Sequence, residues 1–219
     1  MTDTPTSDGR GPRISVRAQL GAAPDPEFTL ALPTGWARRE ATDAERESLD
    51  AQVRTRLRDA HRPDLYAQIR PLLTDAFARM ADASVIAFFA PEAGNDEALA
   101  LPASLVASVR TPMTPGDTLD GLVQTLIREE GATPLLEDKR FLRVERETRQ
   151  TFEDATVRVT QIVYLTPIPG TGRRRALQLT AAVIRPDDAP VDDRPNVVMK
   201  ALLDLCVSSL EWQRAPVGV

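Results

Sequence analysis

Apolar and polar positions follow a strand pattern in four parts of the N-terminal half. Apolar and polar residues alternate in the segment 14–19, which is typical of a strand with one buried face, and 28–33 predicts a second strand that ends at Pro33. Two nearly continuous apolar runs, 84–91 and 103–110, predict central strands. An acidic loop that contains a glycine connects those two runs.

Three longer strands are predicted further along the chain, at about 141–151, 155–165 and 177–183. Turns at Glu153-Asp154 and at Pro169-Gly170-Thr171-Gly172 join them, so we expect an antiparallel meander. The middle strand has its apolar residues at odd positions, which predicts that the odd side is buried. The third strand has one apolar side, formed by Leu177, Leu179, Ala181 and Val183.

Helical spacing over residues 42–82 predicts a pair of helices. Thr42 and Glu45 form the T-x-x-E pattern of a capping box at the start of the first helix. The second helix, 65–80, has the broader apolar face, so we expect it to pack on the sheet while the first lies further out. Pro71 lies inside this pattern, and the second helix either kinks there or begins near it.

Two further helices are predicted. The first has capping-box spacing at Thr114 and Asp117 and ends at Gly131, a residue suited to a helix C-terminus. One face of it is marked by Leu119, Leu122, Val123, Leu126 and Ile127. The second runs from about Asn196 to Trp212. Its inward-facing residues are predicted to be Val198, Met199, Leu202, Leu205, Cys206, Ser209 and Leu210.

These elements predict an α+β fold, an α/β/α sandwich with a mainly antiparallel, twisted sheet of six or seven strands. Helices pack on the sheet, and a helical pair is added in the N-terminal half. No linker and no internal repeat divides the sequence, so we expect one domain over 14–213. Residues 1–13 contain almost no apolar side chains and predict a disordered tail, and 214–219 are a short second tail.

Composition narrows the possible functions. The 219 residues carry a net charge of −5, which argues against a protein that binds nucleic acid with its whole surface. No apolar run is long enough for membrane insertion, and the N-terminus lacks a secretory signal, so we expect a cytoplasmic protein. Only two of the 27 basic residues are lysines, which suggests a high-GC, actinobacterial genome.

Catalytic and metal-binding signals are weak. His61 is the only histidine and Cys206 the only cysteine, so a monomer has neither an internal disulfide nor a zinc site of Cys and His. We interpret His61 as a helix-end residue and Cys206 as a buried hydrophobe. The acidic loop 187–193 lacks the spacing of a calcium loop. The sequence predicts no enzyme, no cofactor and no metal.

The best candidate binding residues are Arg173, Arg174 and Arg175, at the tip of a predicted hairpin. Guanidinium groups bind carboxylate and phosphate bidentately, so three in succession can hold a phosphate, an acidic partner or an anionic surface. A solvated turn is the alternative interpretation. Arginines and glutamates between 143 and 149 predict cross-strand ion pairs on a solvated face of the sheet.

The segments FTLALPTGW (28–36), AFFAP, SLVASVR, QIVYLTPIPG (161–170) and SSLEW (208–212), in this order among helices, resemble the PsbP-like fold. That fold is shared by photosystem II extrinsic subunits, DcrB-like proteins and LpqN-type mycobacterial lipoproteins. The resemblance covers about residues 25–213. It implies an α/β/α sandwich and a binding, adaptor or chaperone-like role, and it brings no catalytic residue.

We therefore expect a non-enzymatic cytoplasmic module that binds a protein partner, as an adaptor or chaperone for a bacterial secretion or envelope system. The alternative is a small-ligand-binding protein with a pocket between the sheet and helix 65–80, or, with less support, a hydrolase. An enclosed pocket with convergent polar groups, above all one that contains His61 and a carboxylate, favours chemistry, whereas a flat apolar patch flanked by the turn 173–175 favours docking.

Overall fold

The fold is given by a computed structural model, which describes residues 26–92, 101–112, 114, 118–152 and 155–213. The predicted tails, the predicted strand 14–19, Asp117 and the turn Glu153-Asp154 lie outside these ranges. The described helices are α1 (Asp43–Asp59), α2 (Pro63–Asp82), α3 (Asp120–Glu130) and α4 (Arg194–Ser208). The described strands are β1 (Phe28–Thr29), β2 (Trp36–Arg39), β3 (Val85–Pro91), β4 (Ala103–Arg110), β5 (Thr133–Leu135), β6 (Asp138–Phe152), β7 (Ala155–Pro167), β8 (Ala176–Pro186) and β9 (Glu211–Trp212).

Seven strands form one antiparallel sheet in the order β2-β3-β4-β8-β7-β6-β5. This confirms the predicted α+β fold with a mainly antiparallel sheet and packed helices. The predicted meander is present as β6, β7 and β8, each longer than the sequence pattern indicated. The apolar runs 84–91 and 103–110 are the adjacent strands β3 and β4, as expected for central strands.

Helices cover both faces of the sheet. Leu203 and Val207 of α4 pack in one core cluster with residues of β3, β4, β7 and β8 on one face. On the opposite face, Leu126 of α3 packs against Val144 and Val163. Phe77 of α2 meets Phe88 of β3 in an edge-to-face contact, with ring centroids 5.8 Å apart.

The burial of β7 corrects the sequence prediction. The predicted inner side was the odd one, but the even positions Ile162 and Tyr164 are the more deeply buried, beneath α4. On the odd side Leu165 is buried near α3, whereas Val157 and Val159 are only half-buried. A strand that is covered on both faces does not need a polar side, so alternation no longer identifies the core face.

The C-terminal helix is shorter than predicted, and its inner face differs. It ends at Ser208, and Glu211–Trp212 pair as β9 with Phe28–Thr29, so the predicted helix to Trp212 and strand to residue 33 are both wrong there. Val198 and Leu205 were expected to face inward, but they are 54% and 59% exposed. Leu203 and Val207 occupy the core in their place.

The N-terminal helical pair agrees with the predicted arrangement. The backbone N–H of Glu45 donates to Thr42 Oγ1 at 3.3 Å, which is the predicted cap of α1. No residue of α1 is buried, whereas Phe77 of α2 is, so α2 is the helix that packs on the sheet. Pro63 is the first residue of α2, and the helix continues through Pro71.

Helix α3 starts later than predicted but ends where expected. Its first residue is Asp120, preceded by Leu119 at the cap, so the helix does not begin at the predicted capping box over 114–117. Thr118 Oγ1 accepts a long hydrogen bond of 3.4 Å from the Asp120 backbone N–H. Gly131 follows the helix with φ 67° in the left-handed region, the conformation that glycine adopts without strain.

Gly131→Ala is expected to lower the free energy of unfolding by about 1 kcal/mol, because an L residue at positive φ is strained by about that amount. Apart from its chain neighbours, no atom lies within 4 Å of the place that the new methyl group would take, so the effect is conformational and not a clash. Gly121→Ala is the matched control, since Gly121 lies inside α3 with equal space. It should stabilise the protein by about 0.5–1 kcal/mol. Urea unfolding measures both, and equal effects at the two positions would contradict the cap.

Ion pairs fix α4 to the sheet beside its apolar core. Asp204 accepts hydrogen bonds from Tyr164 Oη at 2.6 Å and from Arg143 Nε at 2.9 Å. One turn earlier on α4, Lys200 Nζ donates to Glu145 at 3.0 Å. The predicted ion pairs between 143 and 149 are therefore present, but several of them join the sheet to a helix and are not confined to a solvated strand face.

Acid should destabilise the protein through the carboxylate of Glu145. Burial disfavours charge on Glu145, yet hydrogen bonds from Lys200 and Arg143 outweigh it and hold its pKa below the ordinary 4.5. A carboxyl with a lowered folded-state pKa stabilises the fold above the unfolded-state pKa and loses that contribution as the pH falls through the folded-state pKa. Stability to urea should therefore be flat from pH 7 to about 5 and fall below about pH 4. Glu145→Gln should make the acid loss smaller, and an unchanged loss would contradict this assignment.

Candidate functional site

An apolar groove of about 420 Å³ lies between α3 and the strands β5 to β8. We call it the α3 groove. It is open at one side, and most of its wall is carbon. Its apolar wall consists of Leu119, Val123, Ile127, Ala132, Pro134, Phe141, Leu142, Leu165, Pro167 and Ala176.

Two hairpins position the walls of the α3 groove. The hairpin between β7 and β8 is joined to the start of α3, because the Leu119 backbone N–H donates to the Arg173 carbonyl at 2.9 Å. The hairpin between β5 and β6 turns through Leu136 and Glu137, which both have positive φ, at 48° and 66°. Two-residue hairpins of this kind normally use Asn and Gly, so this sequence gave no signal for the turn, and β5 was not predicted.

Charged side chains stand at the edge of the α3 groove. Lys139, Arg140 and Arg173 contribute three positive charges, and Asp120 contributes one negative charge. Arg140 forms a two-point ion pair with Asp138, at 2.9 and 2.7 Å, and Arg173 lies 3.4 Å from Asp120. The hydrogen bonds from Arg140 lower the pKa of Asp138. Asp138 and Asp120 each offset one arginine, so the edge of the groove keeps a net charge of one positive unit, on a protein whose net charge is −5.

The three predicted arginines take different positions. Arg173 lines the α3 groove, and its φ of 59° places it in the left-handed region. Arg174 and Arg175 follow it in the same hairpin but are not part of the groove wall. Arg174 is exposed and Arg175 is half-buried. The sequence could identify the hairpin tip, but it could not separate Arg173 from its neighbours.

The roles of Ile127, Lys139 and Arg140 were missed by sequence reasoning. Apolar spacing puts Ile127 on the inner face of its helix, yet it is 49% exposed because it borders the groove. Lys139 and Arg140 belong to the β5–β6 hairpin that was not predicted. The only signal in the sequence was two adjacent basic residues before a phenylalanine, which is common on surfaces.

The pocket expected between the sheet and helix 65–80 stays a prediction. The concavity described at this helix is lined by six residues that all belong to α2 itself. A second cleft of about 590 Å³ also borders α3, and its lining mixes polar side chains with apolar ones such as Leu122 and Val163. There Arg110 Nε donates to Gln178 at 2.6 Å, and Gln178 donates to Thr180 at 3.0 Å. The polar groups of these three side chains therefore already form hydrogen bonds with one another.

The other candidates from the sequence stand apart from the α3 groove. His61 is exposed in the turn after α1, with φ 57°. Cys206 is buried, and burial raises the pKa of its thiol, which favours the unreactive protonated form. In the acidic loop Asp187 binds Arg149 and Arg158. Within the described ranges, no group of three metal-ligating side chains occurs.

Comparison with known proteins identifies no family. No protein-family model and no curated protein matches the sequence. A solved structure of a protein from Bacteroides thetaiotaomicron VPI-5482 is similar to this chain with 12% identity and a TM-score of 0.40. The match covers 85% of this chain and 45% of that protein, so the chain spans less than half of its length. The PsbP-like resemblance stays a prediction.

In the part of the chain that the structure describes, no helix has both the length and the apolar character that crossing a lipid bilayer requires.

Proposed function

We propose that this protein is a non-enzymatic, cytoplasmic binding module and that the α3 groove is its docking site for a partner protein. The observation that carries this proposal is a single one: an apolar concavity with a net positive edge, next to the hairpin that carries Arg173. A role as an adaptor or chaperone in a bacterial secretion or envelope system is the form that the PsbP-like resemblance implies.

The apolar wall supports docking of a short segment. Ile127 is about half exposed although it borders a concave surface, so a ligand in the groove removes apolar area from water. Each Å² of apolar surface that is buried contributes about 25 cal/mol to association. One or two aliphatic or aromatic side chains of a partner fill a concavity of this size, which is the usual form of an anchor at a protein interface.

The charged edge supports an acidic partner. Lys139 and Arg173 are exposed at the groove, and the contact of Arg173 with Asp120 is long, at 3.4 Å. Carboxylates that flank the apolar anchor of the partner can approach both cations. Such pairs contribute mainly to orientation and to the rate of association, and their contribution decreases with salt.

Capture of partners from the native host with groove variants tests the proposal. Ile127→Glu places a charge in the apolar wall, and because Ile127 is half exposed the fold should remain intact. The matched control is Leu205→Glu, which alters an exposed leucine on the opposite face of the sheet. We expect the wild type and the control to recover the same partner and Ile127→Glu to lose it. Equal recovery by all three excludes the groove as the docking site.

The arginine hairpin offers a second matched pair. Arg173→Ala removes a cation from the groove edge, whereas Arg174→Ala removes one from the same turn outside the groove. The Arg173 variant should weaken binding of the captured partner, and the Arg174 variant should not. Equal weakening by both variants indicates a general electrostatic effect and contradicts a specific role of Arg173.

A second candidate function is binding of a small anionic amphiphile. The groove volume, about 420 Å³, lies in the range of about 300–1,000 Å³ that is typical of small-molecule pockets. Dodecanoate has an apolar chain and a carboxylate that could meet the positive edge. Calorimetric titration of the wild type and of Ile127→Glu with dodecanoate tests this function. Heat that only the wild type produces supports it, and absence of binding to the wild type excludes it for this probe.

A further inference from the structure

Helix α1 lacks the packing that normally stabilises a helix of its length. None of its 17 residues is buried, and its apolar residues Leu49, Val53 and Leu57 are only half-buried. In globular proteins most of the stability of a helix comes from burial of an apolar face. A helix that is polar on most of its surface is stabilised by ion pairs along its own length, or it bridges between folded units.

One side of α1 carries two acidic residues and then two basic residues, at positions that are symmetric about the middle of the helix. Asp43, Glu47, Arg54 and Arg58 are spaced by 4, 7 and 4 residues, so they lie within about 60° of one another around the helix axis. We call these four residues the charge stripe. Their positions are symmetric about the midpoint between residues 50 and 51, where Ala51 is the small residue nearest the stripe.

The charge stripe is available to a partner. The side chains of Asp43, Glu47 and Arg58 are 95%, 73% and 75% exposed. Arg46 lies 3.7 Å from Asp43 and 3.6 Å from Glu47, and Asp59 lies 3.4 Å from Arg58. Arg46 offsets one of the two negative charges at the N-terminal end of the stripe, and Asp59 offsets one of the two positive charges at its C-terminal end. The N-terminal end therefore stays negative and the C-terminal end stays positive.

The symmetry of the charge stripe identifies a second copy of the same chain as the best matched partner. A twofold axis near Ala51 that relates two antiparallel α1 helices brings Asp43 opposite Arg58 of the second copy. The same axis brings Glu47 opposite Arg54. A parallel arrangement places like charges opposite one another, so the stripe also fixes the direction. Twofold symmetric contacts are the commonest form of self-association.

We propose that this protein self-associates through antiparallel contact of two α1 helices along the charge stripe. The contact is electrostatic and solvent-exposed, so it is weak and sensitive to salt. It does not involve the α3 groove and is independent of the function proposed for that groove.

Sedimentation equilibrium of the full chain tests the proposal. At about 0.1 M salt the mean mass of the wild type should rise from 24.0 kDa toward twice that value as protein concentration increases. At about 1 M salt the mass should stay at that of one chain. A wild type that is monomeric at every concentration in low salt overturns the proposal, and so does association that salt leaves unchanged.

Charge reversal identifies the surface. One variant carries Arg54→Glu and Arg58→Glu, and the other carries Asp43→Lys and Glu47→Lys. Each alone should associate at least about tenfold more weakly than the wild type, because every pair becomes a like-charge pair. An equimolar mixture of the two should associate at least as strongly as the wild type, since all pairs are then opposite in sign. This mixture also controls for folding, because the same two proteins are present in both measurements.

Ile127→Glu is the matched variant outside the charge stripe and should associate like the wild type. A mixture that stays monomeric overturns the proposal, and so does a reversed variant that associates as strongly as the wild type.

Discussion

Leu203→Ala is expected to lower the free energy of unfolding by about 2–5 kcal/mol. Leu203 is 1% exposed and lies in the core cluster between α4 and the sheet. Truncation removes buried apolar contacts and leaves a cavity that the rigid strands beneath it cannot fill. Urea unfolding, monitored by far-UV circular dichroism, measures the loss.

Leu205→Ala is the matched control on the same helix. Leu205 is 59% exposed, so the same deletion of carbon atoms should change stability by less than about 0.5 kcal/mol. The ratio between the two losses reports which face of α4 is buried. Equal losses would contradict this packing of α4, and a larger loss at Leu205 would show that α4 packs with the face that the sequence pattern suggested.

Asp204→Ala is expected to cost about 3 kcal/mol, because it removes the acceptor for two groups at once. Tyr164 is 1% exposed and loses the partner of its hydroxyl, and the guanidinium of Arg143 loses a carboxylate beside the core. Burial and the hydrogen bond to Asp204 raise the pKa of Tyr164, so the tyrosine remains a neutral donor. Denaturant unfolding at pH 7 measures this loss.

Two variants separate the hydrogen bonds from the general effect of removing a charge. Asp75→Ala changes an exposed aspartate on α2 and should alter stability by less than about 0.5 kcal/mol. Asp204→Asn keeps an acceptor oxygen for Tyr164 and should cost less than Asp204→Ala. If Asp204→Ala and Asp75→Ala have equal effects, the contact with Tyr164 and Arg143 does not stabilise the fold.

The fold could be predicted where local patterns agreed with burial. The apolar runs that became β3 and β4 are continuous because helices cover both faces of that part of the sheet. The hydroxyl of Thr42 caps the start of α1, and Gly131, which has no side chain, adopts the left-handed conformation at the end of α3. Both helix boundaries were predicted correctly. In each case the signal depends on only a few neighbouring residues.

The errors have a different physical origin. The phase of α4 depends on which residues meet the sheet, and Val198 and Leu205 are as apolar as Leu203 and Val207. Periodicity alone cannot choose between two overlapping apolar faces. The short strand β9 depends on a contact between distant residues: Trp212 lies opposite Phe28, with ring centroids 6.0 Å apart, and joins the two ends of the described chain.

The α3 groove could be predicted only in part. Arg173 was identified because successive arginines in a turn are visible in the sequence. The apolar wall combines residues from one helix and four strands, and the β5–β6 hairpin that completes it turns through Leu136 and Glu137 without the usual turn residues. A site that is assembled from distant segments has no local signal.

Amide hydrogen exchange of the protein, alone and with its captured partner, tests the central claim most directly. If the α3 groove is the docking site, binding should slow amide exchange in α3 and in the β5–β6 hairpin. The exchange rates of α1 and α4 should stay the same. Slowed exchange that is confined to α1, α4 or the β2 edge of the sheet, with α3 and the hairpin unaffected, would contradict the account.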